Sequence, residues 1–262
     1  VASNLSLTDL AVVLYENLRP EDKVIWSKGW ASALYYILAS RKGIINREEL
    51  FNTFPNAPYL GLLEVDAPGV ITAGGSVGHG LSVGAGIAIG LKRAKEPGTV
   101  YVLMSDGELN EGSVWEAVMF AAHHKLSNLV AIVDVNDWQA MGKTDEVISM
   151  EPLLGKWANF GWRTREIDGH DHRKIENALT YLWDPCNFCN GRRFIQVRVG
   201  CWQPCGRCSE TGKYQEGDMG QPSVIIARTI KGKGVSFMED HLLFHYRHVD
   251  DENLRQALEE LV

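Results

Sequence analysis

Two polar side chains stand where apolar runs stop. The run Val100-Tyr101-Val102-Leu103-Met104 has the length of a strand buried on both faces, and it ends in Ser105-Asp106-Gly107-Glu108, where Asp-Gly can turn sharply. Leu129-Val130-Ala131-Ile132-Val133 is a second such run, closed by Asp134-Val135-Asn136, so Asn136 falls thirty positions after Asp106. Between the two, Gly112 to Lys125 carries a helical pattern. Strand, helix and strand make a βαβ unit that delivers a carboxylate and an amide oxygen to neighbouring strand tips in one crevice. With a backbone carbonyl nearby, such hard oxygens suit Mg²⁺ or Ca²⁺, and the metal would in turn hold phosphate oxygens of a cofactor. The backbone N–H groups of Gly107 and Glu108 can face the same anion.

The rest of the chain is of ordinary globular composition. Its 262 residues are 45% apolar and 23% charged, enough for a large core in one α/β domain or slightly more. A net charge of −7 argues against nucleic acid as a partner, since neutralising phosphates needs a basic face. No stretch approaches 18 consecutive apolar residues and no basic-then-apolar signal opens the chain, so a cytoplasmic protein without a membrane partner is expected. The first residue is Val1, which leaves room for others in front of it.

Helices are predicted over 6–18, from Trp30 to Ser40 with Gly43 past the end as a C-cap, over Asn46 to Phe54 with Asn46 as N-cap, over Leu81 to Lys95, and over Glu151 to Phe160. Trp162 to Ile167 reads as a strand. Asp168-Gly169-His170-Asp171 reads as the turn that caps a helix to Leu182, which makes His170 structural first. Pro222 to Arg228 is a buried strand, followed by the Gly-rich Lys231-Gly232-Lys233-Gly234. The segment 183–220 differs from both sides. Cys186-x-x-Cys189 is followed after fifteen residues by Cys205-x-x-Cys208, the spacing of a four-thiolate zinc ribbon, with Arg193 to Val199 alternating as a strand between the pairs. A closed Cys₄ site stabilises and does no chemistry; in a cytoplasmic chain zinc is favoured over disulfides. The ribbon carries Arg192, Arg193, Arg198 and Arg207 with Phe188, Phe194 and Trp202, a mixture suited to docking, and stabilising its own loop is the other reading.

Several of these stretches together resemble the transketolase family of thiamine diphosphate enzymes. Ser105-Asp106-Gly107 with Asn136 is similar to the family's diphosphate motif, with Ser in place of the first Gly. Asp22-Lys23-Val24-Ile25-Trp26-Ser27-Lys28-Gly29-Trp30 resembles a segment that ends in His, where Trp30 stands here. Pro68-Gly69-Val70 to Gly74-Gly75-Ser76-Val77-Gly78-His79-Gly80 and Ile226-Ala227-Arg228-Thr229-Ile230-Lys231-Gly232-Lys233-Gly234-Val235 match two more family elements. The resemblance covers nearly all of the chain outside 183–220, but only the first part of a full-length member. It implies a thiamine diphosphate-binding fold with a mainly parallel sheet flanked by helices, formed by 1–182 and 221–262, with 183–220 as an inserted Cys₄ module.

The same resemblance assigns roles by position. Asp106, Asn136 and the carbonyl of Trp138 would hold Mg²⁺ (or Ca²⁺); Gly75 and Val77 would flank the thiamine rings, with Gly107 and Glu108 at the diphosphate. Glu111 would be the acidic residue linking two sites across a dimer. His245, with His241 as runner-up, matches a histidine near the reacting end. For His79, where the family has Gln, a helix-start hydrogen bond and a role near diphosphate or substrate both stay open. Structural Zn²⁺ would sit on the four cysteines.

In the family, the glutamate that activates thiamine lies on a pyrimidine-binding domain, and no such domain is present in these residues. The expected function is therefore that of a diphosphate-binding subunit that transfers a two-carbon ketol unit with a separate pyrimidine-domain chain, as α2β2. Two alternatives accompany it. One is two-carbon glycolyl transfer to the thiol of a lipoyl group or carrier protein, suggested by Trp30 and Leu62 standing where sugar-facing histidines are usual. The other is a non-catalytic scaffold.

Overall fold

The computed structural model describes residues 2–181, 194–198, 201–204, 221–245, 247 and 249–261. Its centre is a five-stranded, all-parallel sheet in the order β1-β2-β3-β7-β4, made of β1 (Lys23–Trp26), β2 (Val100–Ser105), β3 (Leu129–Val135), β4 (Arg163–Asp168) and β7 (Ser223–Arg228). The other two described strands, β5 (Phe194–Arg198) and β6 (Cys201–Pro204), pair antiparallel as a separate hairpin. Parallel pairing needs crossovers, and helices supply them. In chain order they are α1 (Ala2–Asn17), α2 (Ser32–Arg41), α3 (Arg47–Thr53), α4 (Gly80–Ala94), α5 (Gly112–His123), α6 (Thr144–Ile148), α7 (Leu153–Asn159), α8 (His172–Tyr181) and α9 (Asp251–Glu260).

Helices cover both faces, which is why the central strands read as unbroken apolar runs. Successive side chains still alternate: Tyr101 and Leu103 enter the core formed with α1, α2 and α8, whereas Val100, Val102 and Met104 enter the one formed with α4, α5 and α7. All of β3 is buried, and a fully buried Val or Ile stabilises by about 1.5–3 kcal/mol. A small third cluster, Ala2, Val235, Met238, Phe244 and Ala257, ties the C-terminal segment to the start of α1.

The expected α/β fold with a parallel sheet flanked by helices is what forms. Asn46 caps α3 by accepting the Glu49 N–H at 3.0 Å, and Asp171 accepts the Lys174 N–H at 3.1 Å. Three features differ from expectation. The helix predicted from Ser6 starts at Ala2; β1, α6 and α9 were not anticipated; and Asp-Gly makes no sharp turn. Asp106 is right-handed helical (φ −64°, ψ −41°) and opens a 3₁₀ turn over Gly107–Asn110, so no left-handed residue is needed and Ser105 fits where the family has Gly. β1 is only four residues long with an exposed first position, so its pairing with β2 defines it more than its pattern does. Among the described residues no helix is long and apolar enough to cross a membrane.

Candidate functional site

The carboxyl ends of β1, β2, β3 and β7 converge, as parallel strands in register must, and each strand is followed by a polar residue: Ser27, Asp106, Asn136 and Thr229. Asp106, at the end of β2, is 1% exposed; one carboxylate oxygen accepts the Gly107 N–H at 2.8 Å and the other the Thr144 hydroxyl at 3.1 Å. Burial, with the neighbouring Asp134 charge, pushes its carboxyl up to about 7, against the pull of Lys28 and of those hydrogen bonds. Asn136 follows β3. Asp137 is left-handed (φ 61°), a conformation Asp tolerates, and the chain turns back so that the Trp138 N–H donates to Asn136 Oδ1 at 3.1 Å.

Behind these tips lies a buried polar cluster. Asp134 pairs with Lys28 Nζ and accepts the hydroxyls of Ser6, at 2.7 Å, and of Thr229. Ser6 Oγ also receives Lys28 Nζ at 3.1 Å and Asn136 Nδ2 at 3.3 Å, so α1 and the ends of β1, β3 and β7 share one network that aims Asn136.

One charge in the crevice has no hydrogen-bond partner among the described residues. Lys231, after β7, is 1% exposed, and its Nζ makes no hydrogen bond; it lies 5.2 Å from the centre of the Trp138 ring, with Lys143 Nζ 5.8 Å from the same centre. Burial and the Lys28 charge push the Lys231 ammonium down to about 8, while Asp106 pulls the other way. Half-buried His245 belongs to the same neighbourhood. Burial and repulsion from Lys231 and Lys28 push it down to about 4, so it is a neutral imidazole at physiological pH. His241 is exposed and accepts only the local Leu243 N–H, at 3.3 Å.

The sequence matches the family described as transketolase, thiamine diphosphate binding domain, over residues 3–183. This chain belongs to the transketolase family. A 6-deoxy-6-sulfo-D-fructose transketolase subunit from a Clostridium species is 31% identical across 100% of this chain and 87% of its own length. One of the subunits of apulose-4-phosphate transketolase from Phocaeicola vulgatus is 32% identical over 92% of this chain and 74% of its own length. The crystal structure of transketolase from Campylobacter jejuni superposes with a TM-score of 0.79 at 25% identity, covering 98% of this chain and 38% of that one. The chain thus has most of the length of the two named subunits and about two-fifths of that transketolase.

On this transketolase-family scaffold the residues singled out from sequence are spread unequally. Asp106, Asn136, Trp138 and His245 gather at the strand tips. Gly75, Val77 and His79 lie on an exposed loop whose base is pinned by a backbone contact: a Cβ on Gly74 would come within 2.3 Å of Gly29 Cα. His79 makes no capping bond to α4, but its Nε2 lies 3.4 Å from Ser76 Oγ, a local hydrogen bond just before the helix. The Glu108 carboxylate turns away from solvent, accepting the Gly78 N–H at 2.9 Å and the Ser27 hydroxyl, and burial raises its pKa. Glu111 is exposed at the start of α5, its Cβ against Gly78. Cys186, Cys189, Cys205 and Cys208 lie outside the described residues. Sequence reasoning missed Lys231, Lys28, Ser6, Asp134 and Thr229. Lys231 was visible only as a letter of a Gly-rich motif, and nothing in that motif says which lysine is buried.

Among the described residues no three His, Cys, Asp or Glu side chains form a metal cluster.

Proposed function

We propose that this chain is the diphosphate-binding subunit of a two-chain thiamine diphosphate enzyme that transfers a two-carbon ketol unit. The observation that carries the reading is the buried Lys231 ammonium, without a hydrogen bond among the described residues, in the crevice of Asp106 and Asn136. In this proposal Asp106, oriented by the Gly107 N–H, holds Mg²⁺ (or Ca²⁺) with Asn136 and the carbonyl of Trp138, and Lys231 neutralises diphosphate oxygens beside Gly107 and the Glu108 N–H. Gly75 and Val77 flank the rings. Thiamine diphosphate, when bound, supplies the nucleophilic carbon that takes up and hands on the two-carbon unit. Neutral His245 and exposed His79 are placed to exchange hydrogen bonds with a substrate, and Glu111 to meet a second copy across a dimer. The activating glutamate comes from a partner chain carrying the pyrimidine-binding domain, in an α2β2 assembly. The two relatives named as transketolase subunits support this division of labour. Calorimetric titration with thiamine diphosphate and Mg²⁺, wild type against Asp106→Ala, tests it: equal binding by both ends the assignment.

The inserted segment is proposed as a Cys₄ zinc module on the same chain. Its support is the paired Cys-x-x-Cys spacing with the β5–β6 hairpin between the pairs. Metal analysis should find one zinc per chain, absent from a Cys186→Ser, Cys205→Ser variant; no zinc in the wild type removes the proposal.

A further inference from the structure

Lys231 lies on the loop that follows β7, two residues beyond Thr229, whose N–H still bonds the Val135 carbonyl at 2.9 Å. Besides its backbone bonds, this loop is held by a side chain from α8's N-terminal turn. His170 Nε2 accepts the Ile230 N–H at 2.9 Å, on the residue immediately before Lys231, and His170 Nδ1 lies 2.8 Å from Asp9 Oδ2. The two bonds fix the tautomer: an Nε2 that accepts leaves the proton on Nδ1, which donates to Asp9. Asp9 is anchored in α1, and its other oxygen lies 2.7 Å from His172 Nε2. The His170 side chain is only 13% exposed. The turn at 168–171 is held independently, by the Gly169 N–H to the Arg228 carbonyl at 2.7 Å and by the His170 N–H to Asp168 at 3.0 Å, so the imidazole is not needed to form it.

We infer that the Asp9–His170 pair is a positioning device for Lys231, a relay of hydrogen bonds from α1 to the loop that sets the cation against the diphosphate. His170 touches no ligand itself and acts through Ile230. Among the described residues the Lys231 ammonium makes no hydrogen bond, and its flat neighbour Trp138 restrains it in one direction only. The loop backbone beyond it is tied by the Asp240 N–H to the Lys231 carbonyl at 3.0 Å and by the Gly232 N–H to the Ala2 carbonyl at 3.2 Å, and the fixed Ile230 N–H adds a restraint on the residue before it. This inference rests on the diphosphate reading of the crevice.

Two substitutions separate the two bonds. Asn places a donor near the Nδ1 position and keeps Asp9 while losing the acceptor for Ile230; Gln places an acceptor near Nε2 and keeps Ile230 while losing Asp9. The protein is purified under native conditions with whatever partner chains accompany it. Hydrogen exchange of the 229–235 segment and affinities for thiamine diphosphate and thiamine monophosphate are measured with Mg²⁺, beside Lys231→Met. The expected result is faster exchange at 229–235 in His170→Asn, with thiamine diphosphate affinity lowered roughly tenfold or more and monophosphate affinity changed less. His170→Gln should keep slow exchange and most of the affinity. A purely structural histidine would weaken both ligands alike, and that outcome overturns the inference, as does wild-type exchange and affinity in His170→Asn. If Lys231→Met binds thiamine diphosphate as tightly as wild type, the diphosphate reading of Lys231 fails first, and the exchange data then stand alone as a loop tether.

Discussion

Asp106 and Lys231 carry opposite unmet demands in one buried crevice, and each makes a prediction at the scale of a single side chain. Asp106→Ala removes a charged oxygen from a strand tip without opening the core, so it should lower Mg²⁺-dependent thiamine diphosphate affinity more than a hundredfold while leaving the circular dichroism spectrum unchanged. Asn136→Ala removes a neutral amide, worth about 1.5 kcal/mol or less, and should cost about tenfold in the same titration. Lys231→Met should move stability and binding in opposite directions. A buried cation without a hydrogen bond costs more than the about 1–3 kcal/mol of a neutral donor, and an apolar side chain of similar length avoids that cost. Urea unfolding of the ligand-free variant should therefore show a more stable protein that binds thiamine diphosphate poorly. A less stable Lys231→Met protein would mean that the ammonium has a partner in solution.

At the scale of elements, α1 shows how a packing helix can also serve the crevice. Its apolar face of Leu10, Val13 and Leu14, continued by Leu18 just past its end, is legible as packing surface from spacing alone. Spacing does not show that Ser6 reaches Asp134 or that Asp9 reaches His170 and His172, all far away in sequence. Hydrogen bonds from His170, opposed by burial and joined by those from His172, hold the Asp9 carboxyl below its ordinary value. A depressed carboxyl contributes stability above its unfolded value, and that contribution is lost as pH falls through its folded one. Asp9→Asn should accordingly be less stable than wild type at neutral pH. The difference should close below about pH 4, and unfolding curves that stay apart there would contradict it.

At the scale of the molecule, a parallel α/β sheet of the thiamine diphosphate-binding family is accompanied by a separate two-stranded hairpin. The chain exposes Trp30, Val77, Met119 and Met141, large apolar side chains of the kind that association covers. On the proposed reading the isolated chain does not turn over. Product should appear only when the pyrimidine-domain chain is added, and scattering mass should then correspond to two copies of each; turnover of hydroxypyruvate by this chain alone would refute the division of labour.

Sequence by itself determined the parallel α/β core and the two strand-tip oxygens. Val100 to Met104 and Leu129 to Val133 are apolar on both faces, which only a sheet covered on both sides explains, and Asp106 and Asn136 mark where those runs stop. The caps at Asn46 and Asp171 were legible too, because a cap is a bond over three residues. What only the tertiary structure decided are the contacts between residues far apart in the chain. Lys28 with Asp134, Ser6 with Asn136, Glu108 with Gly78 and His170 with Ile230 join segments whose meeting depends on strand order, and β7 enters the sheet between β3 and β4 although it comes last. Local pattern carries no record of which strand slots beside which. Burial of Lys231 follows from that slotting, since the same Lys-Gly-Lys-Gly letters fit a solvated loop equally well until β7 carries them to the tips of β2 and β3.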